Sequence, residues 1–380
     1  MSPMKIDVRD DKGAILSIVA AMVSATLLLA IIALVIDGGV IYSERRVVSN
    51  SAESAALSLA RICADSPTTC LSSNIPQQFA NSNSPDGLTR VTEICVNGKT
   101  ATTNSCASTG KNSIDCSVPP SGITQFARVR TESQSPDEDS GIKTFFSSGE
   151  VKTLIACAQA RWGNASSAPS YSPFAVSICE WARQQTLPRV LKEFTTNNGV
   201  GDCTYTFTDL AGNTYTKSGI NGWAALDLLS TSLPLDSRAS VSCPNPVTDK
   251  PAYLRIGSQV SQITRDQSSQ TYCGDSNLAT KMPVWINQTL YLPLVSTKKL
   301  TGNSTVHTVE AFAAFKLLGY SLSKGQGSSK EPGGITPTGN WCPVNTNCIY
   351  GEFVKTISPN SEINDSPGIP NIGLQAIELF

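Results

Sequence analysis

Twelve cysteines and one histidine are the side chains in this 380-residue sequence whose chemistry depends most on spacing. The cysteines are Cys63, Cys70, Cys95, Cys106, Cys116, Cys157, Cys179, Cys203, Cys243, Cys273, Cys342 and Cys348. Structural zinc needs tetrahedral Cys/His sets with close ligand pairs. No Cys-x-x-Cys occurs, and His307 is the sole histidine, so no metal site is expected. An even number of thiols behind a membrane signal points instead to disulfides formed in an oxidising compartment. Free buried thiols packing as small hydrophobes are the alternative for some of them. Spacing leaves the connectivity open; only Cys63–Cys70 and Cys342–Cys348 are local enough to single out as pairs.

Other chemistry is thin. Nucleophilic hydrolysis needs a base beside a serine or cysteine, and His307 lies in an apparent strand with only Thr308 and Glu310 beside it. No Gly-x-Ser-x-Gly elbow occurs. Gly325-Gln-Gly327-Ser-Ser-Lys330 lacks the spacing and the following helix of a phosphate loop, and is expected to be a flexible connector. In Asp236-Ser-Arg-Ala-Ser240, Arg238 would repel a divalent cation. Asn164, Asn287 and Asn303 begin Asn-x-Ser/Thr sequons. Trp162, Trp181, Trp223, Trp285 and Trp341 are scattered, as expected for core packing rather than a sugar platform. No enzyme activity and no cofactor are expected. Net charge is -1, so no whole-molecule field draws nucleic acid or anionic lipid. Charged residues make up 16% of the chain, below the ~25% usual for soluble domains; Ser, Thr, Asn and Gly take their place, which suits a loop-rich exported protein.

The element that positions everything else is N-terminal. Residues 13–36 carry no charge, and these 24 residues exceed the ~20 a helix needs to cross ~30 Å of hydrocarbon. A cleaved signal peptide would have a shorter core and a small-residue cleavage site. Lys5, Arg9 and Lys12 flank one end and Arg45 and Arg46 the other, which decides orientation weakly. The cysteines decide it: all lie after the span, so residues 1–12 are expected in the cytoplasm and 37–380 outside. Gly13 after a charged leader resembles a type IV pilin start, but the fifth position after it is Ile18, not the usual Glu, and an uncleaved N-terminus is expected. Beyond the membrane, Ile41, Val48, Ala52, Ala55, Leu59 and Ile62 form a heptad-like stripe. It suits either the protein's own head or a partner helix. Gly38-Gly39 is costly inside a helix in water and marks either a bend or a close approach.

Asp37-Gly38-x-x-x-Tyr42-x-x-Arg45-Arg46-x-x-x-Asn50-Ser51-Ala52-x-x-Ala55-Ala56-Leu57, directly after one span, resembles the start of TadE/TadG-like proteins of tight-adherence (Flp) pilus assembly systems. Gly38 stands one place early and Gly39 in the usual place. Val129, Phe145, Ala158-Gln-Ala160-Arg-Trp162-Gly163 and Pro173 to Glu180 resemble the order of signals in actinobacterial TadG-like proteins, as do Gly222-Trp223, Ala311 to Phe315 and Cys348 to Phe353. The resemblance implies a non-enzymatic accessory or minor-pilin-like protein that contacts the bilayer and other pilus-assembly or pilin proteins, with self-association through the juxtamembrane helix a further option. Interface and partner-contact candidates are Asp37, Gly38, Gly39, Tyr42, Arg45, Arg46, Asn50, Ala52 and Ala55. The alternative is an anchored adhesin or binding module without a pilus role.

The expected architecture is therefore a cytoplasmic tail (1–12), a transmembrane helix (13–36), a juxtamembrane helix (37–63), a Cys-containing polar lobe (64–122) and a β-rich exported domain (123–380). The lobe has too few large apolar residues to fold unaided and is expected to be a cross-linked loop region. In the last part, alternation marks strands at Thr124–Thr131, Val151–Trp162, Ala252–Ile256, Val284–Leu294, Val306–Leu318, Ile349–Ile357 and Gly373–Phe380. A short element falls at Ile142–Phe146. Cys203–Thr208 and Asn213–Thr216 form a hairpin, and Ser177-x-x-Glu180 is a capping box opening a short helix. Many strands and few long helices give a mainly-β, disulfide-bonded sandwich or barrel-like domain.

Overall fold

In the computed structural model the described residues are 11–66, 69–97, 106, 116, 118–134, 153–183, 189–192, 203–209, 212–219, 222–230, 232–263, 278–301, 304–322, 328–330, 342, 347–358, 361–364 and 374–380. The first element is a single 55-residue helix, α1 (Asp11–Asp65). It contains no proline, and Pro67, which cannot donate to a helix, follows it in sequence. Gly38 and Gly39 sit inside it without interrupting it, and beyond the adjoining helix backbone nothing among the described residues comes within 4 Å of where their Cβ atoms would be. From Leu16 to Ile36 nearly every side chain is exposed, including large ones such as Leu16, Leu29 and Leu34. The hydroxyls in this run turn inward on the helix itself: Ser24 Oγ donates to the Ala20 carbonyl (2.7 Å) and Thr26 Oγ1 to that of Met22 (3.1 Å). That is the solution hydrocarbon demands of a polar group.

Contacts divide the chain into two units. The first contains α1 to Leu59, Leu71–Val118 and Ala127–Gln159. Within it lie α2 (Ile75–Ser82), β1 (Thr89–Val96), β2 (Phe126–Ser133) and the start of β3 (Ile155–Ala165). Pro76 opens α2, where its missing N–H costs nothing. β1 and β2 pair antiparallel with a register shift between Val91 and Glu93. Thus the segment expected to be a polar loop lobe contains a helix and a strand. Gln77 on α2 ties them together: its Nε2 donates to the Thr89 carbonyl (2.7 Å) and its Oε1 accepts from the Val91 N–H (2.8 Å). The side-chain amide thereby bonds β1 as a neighbouring strand's peptide would. Disulfides Cys95–Cys106 and Cys116–Cys157 close loops in this unit. Glu44 of α1 is half-buried; burial first, and the Asp86 carboxylate second, push its pKa above the ordinary glutamate value.

The second unit is mainly β. In chain order it holds the rest of β3, β4 (Ser167–Ser170), β5 (Phe174–Ser177), α3 (Ile178–Arg183), β6 (Arg189–Lys192), β7 (Cys203–Thr208) and β8 (Thr214–Gly219). Then come β9 (Trp223–Ala225), β10 (Ala252–Arg255), β11 (Gln259–Ser261), α4 (Leu278–Trp285), β12 (Thr289–Thr301) and β13 (Ser304–Leu322). The last are β14 (Ser328–Lys330), β15 (Asn347–Val354), β16 (Thr356–Ile357), β17 (Ile363–Asn364) and β18 (Leu374–Leu379). An eight-stranded sheet runs β6-β15-β13-β12-β5-β9, with β11 and β14 also on β13. β18 lies between β3 and β16, and β17 also pairs with β3.

The long strand β13 is the hub, and its sequence shows why. Ala311, Ala313, Phe315 and Leu317 enter one core, with Trp223, Trp285 and Phe174. Val309, Phe312 and Ala314 enter a second, with Leu226, Leu254 and Val260. Both faces are covered, so the strand reads as a continuous apolar run rather than an alternation. Register shifts between Leu294 and Val295 on β12, and between Leu317 and Gly319 on β13, adjust which face each side chain takes. Gly351 on β15 sits against β13 so closely that a Cβ there would lie 2.6 Å from the Phe315 ring and overlap the Lys316 carbonyl.

Several sequence expectations are refined. Val284–Leu294 is not one strand: α4 ends at Trp285, Asn287 adopts a left-handed conformation (φ 63°), and β12 starts at Thr289. Ser177 does cap α3, its Oγ accepting from the Cys179 N–H (3.1 Å). Glu180, however, accepts from the Gly222 N–H (3.0 Å). Ser328–Lys330, expected to be flexible connector, is β14 on the hub strand. Trp162, Trp181, Trp223 and Trp285 are buried. Cys63–Cys70 and Cys342–Cys348 are bonded. Cys179 and Cys243 are disulfide-bonded as well. Ile142–Phe146, Cys273, Asn303, Trp341, residues 1–10 and the Cys203 side chain lie outside the described residues.

Two outcomes follow from the first unit. Gln77→Ala strips the Thr89 carbonyl and Val91 N–H of their partner and should destabilise the head by ~1–3 kcal/mol, measured by denaturant unfolding of the detergent-solubilised chain. Glu44 has a raised folded pKa, so its ionised form opposes folding. Glu44→Gln should therefore stabilise the protein at neutral pH, and the gain should fade as pH falls towards the ordinary glutamate value of 4.5. Melting curves across that pH range check it; a gain independent of pH would contradict the assignment.

Candidate functional site

Where α1 leaves its exposed apolar run it acquires two faces. One is covered by the protein's own first unit. Val48, Ser51, Ala52, Ala55, Ala56 and Leu59 are fully buried, at the three- and four-residue spacings of one helical stripe. Small side chains let the facing backbone come close, and polar contacts fix the seat. Thr131 Oγ1 on β2 donates to the Val48 carbonyl (3.1 Å). Asn83 Nδ2, after α2, donates to Ser54 Oγ (2.7 Å), and Ser51 Oγ reaches Thr89 Oγ1 (3.5 Å). Of the two expectations for this stripe, contact with the protein's own head is the one the structure shows. Ala52 and Ala55, taken from sequence as partner contacts, have no exposed surface here. Asp37 also lies on the covered side, 9% exposed.

The opposite face is open. Gly38, Gly39, Tyr42, Arg45, Arg46 and Asn50 are all exposed, Tyr42 by 65%. Gly39, Tyr42, Arg46, Asn50, Glu53 and Leu57 follow one another at steps of three or four residues and so share one stripe, all exposed. Glu53 and Leu57 were missed as site residues. Their signal was present, since they occupy the positions half a turn away from the buried alanines. The residues that seat the helix, Asn83 and Thr131, could not be found from sequence; they are 29 and 83 residues from the atoms they bond.

Elsewhere the chemistry-bearing residues are structural. His307 is fully buried on β13, its Nε2 3.1 Å from Gln262 Oε1, in the register position facing Val260 of β11. Arg238 Nε donates to the Leu233 carbonyl (3.0 Å) and Lys250 Nζ to that of Asp236 (2.7 Å), which ties down the loop singled out as an unlikely cation site. Asn164 is buried in β3, out of reach of modification. Among the described residues no group of three or more His, Cys, Asp or Glu side chains is placed to hold a metal.

Comparison with known proteins bears on the same stretch. No curated protein and no solved structure matches the chain. Residues 13–61 match the family model described as putative Flp pilus-assembly TadE/G-like. The match ends before β1, so the similarity drawn from residues 126–353 to actinobacterial TadG-like proteins lies outside it. The membrane-length run and the two-faced helix that continues from it are thus a TadE/G-like segment.

Proposed function

We propose that this protein is a membrane-anchored, non-enzymatic accessory or minor-pilin-like component of Flp pilus assembly, acting through protein contacts. One observation carries the reading: the matched segment is one unbroken helix with one side held by the head and the other side open along its length. The TadE/G-like segment supplies the link to pilus assembly. The open stripe supplies a surface for a partner that the head does not already occupy. Residues 13–36 cross the membrane, with the N-terminus in the cytoplasm and residues 37–380 outside. Disulfides downstream of the span, Cys63–Cys70, Cys95–Cys106, Cys116–Cys157 and Cys342–Cys348, support that orientation, because they form in oxidising compartments. Gly38 and Gly39, with no side chain to hold neighbours away, are where another helix could approach most closely. A second copy of this chain is one such helix.

Two measurements test the reading. Asn50→Glu combined with Glu53→Arg rewrites the open stripe without touching a buried group. It should cut pilus number roughly tenfold or more while leaving the melting temperature of the head unchanged; normal piliation would overturn the partner-face assignment. In intact cells, protease should remove the region after residue 37, and a maleimide should label its thiols only after reduction. A protected C-terminal region, or labelling without reductant, would overturn the topology.

A further inference from the structure

The open face contains a pair of cations that no carboxylate among the described residues pairs with. Arg45 and Arg46 are both exposed, and neither makes a hydrogen bond or ion pair among the described residues. The nearest carboxylate in sequence, Glu44, turns the other way, half-buried in the first unit beside Asp86. Positive charge is therefore presented outward and negative charge withdrawn, at the level where the apolar run has just ended.

We infer that Arg45 and Arg46 form a docking site for the phosphate of an anionic phospholipid in the leaflet that the helix has just crossed. The inference rests on the anchoring half of the proposed function, not on the pilus half. Three geometric points support it. Arg45 lies nine residues beyond Ile36, roughly 14 Å along the helix axis. A 24-residue span is longer than ~30 Å of hydrocarbon and crosses with some tilt, which brings the pair closer to the hydrocarbon edge. Helical side chains lean towards the N-terminus, which here is towards the bilayer. Two long arginines at that height thus reach back into a headgroup layer roughly 5–8 Å deep. Tyr42, four residues before Arg46 on the same face and 65% exposed, stands where a belt aromatic stands. Guanidinium is the side chain best matched to phosphate, through paired N–H donors. The site is local, since the whole chain has a net charge of only -1.

The test uses the full-length protein in phosphatidylcholine vesicles containing trace spin-labelled phosphatidylglycerol or spin-labelled phosphatidylcholine. The fraction of each label held immobile at the protein gives the lipid preference. The wild type should prefer phosphatidylglycerol, by roughly fivefold for one engaged arginine and at most roughly thirtyfold for two. The preference should shrink in high salt. R45Q/R46Q should lose most of it, and R45K/R46K should keep part. Inorganic phosphate at millimolar concentration should leave it unchanged, separating a lipid headgroup from a free-phosphate site. No preference in the wild type, or an equal preference in R45Q/R46Q, overturns the inference; the latter would assign the effect to other cations, such as Lys5, Arg9 and Lys12. Because the side chains are exposed and unpaired, the glutamine variant should melt at the wild-type temperature. Reduced piliation with unchanged lipid preference would overturn the lipid site while leaving the pilus reading standing.

Discussion

A single helix in this protein changes its surroundings along its length and around its axis, and the sorting of its side chains shows how. Up to Ile36 the requirement is uniform, so the surface is apolar all round and its few hydroxyls bond their own backbone. After Asp37 the requirement splits by angle. The first unit takes one side, where alanines and a serine alternate with Val48 and Leu59 and let the facing backbone come close. What is left for the outside is Tyr42, the arginines, Asn50, Glu53 and Leu57. The seat of the head on the helix thereby defines the open face by exclusion.

That dependence also decides what could be recovered from the sequence. The apolar run was legible because hydrocarbon thickness sets a length, and residues 13–36 exceed it. The heptad-like stripe was legible as a buried face. Its partner was not, because alanine repeats at that spacing suit a strand pair as well as another helix. The Ser/Thr/Asn-rich segment before residue 122 looked incapable of folding for the same reason. α2 and β1 are tied to α1 by Ser51–Thr89 and Asn83–Ser54, contacts made 38 and 29 residues apart in the chain. A segment held by such distant contacts has no local signature.

In the second unit, regular alternation was a good guide where one face is solvated. The hairpin of β7 and β8 shows it, with Tyr205 and Phe207 buried and Thr204, Thr206 and Thr208 exposed. Burial, with the Glu310 carboxylate adding to it, raises the Tyr205 phenol well above its ordinary value, so it stays neutral and behaves as part of the core. Alternation misled around Val284, where the apolar residues Val284, Trp285 and Ile286 continue visually into Leu290. Asn287 in a left-handed conformation divides helix from strand there, and a single turn residue is a weak signal against so long an apolar run. On β13 the signal was strong for another reason: two cores cover it, and no polar face had to be found.

The continuity of α1 has a mechanical consequence. Fifty-five helical residues make a rod ~80 Å long, and the glycine pair introduces no hinge between its lipid-facing length and the length the first unit grips. In the anchored arrangement proposed above, the rod and its clamp at Thr131 and Asn83 form a lever whose fulcrum is the membrane surface. A few degrees of lean in the lipid become several ångströms of sideways travel at Asp65, so bilayer thickness and crowding around the base set where the far end of the helix can reach.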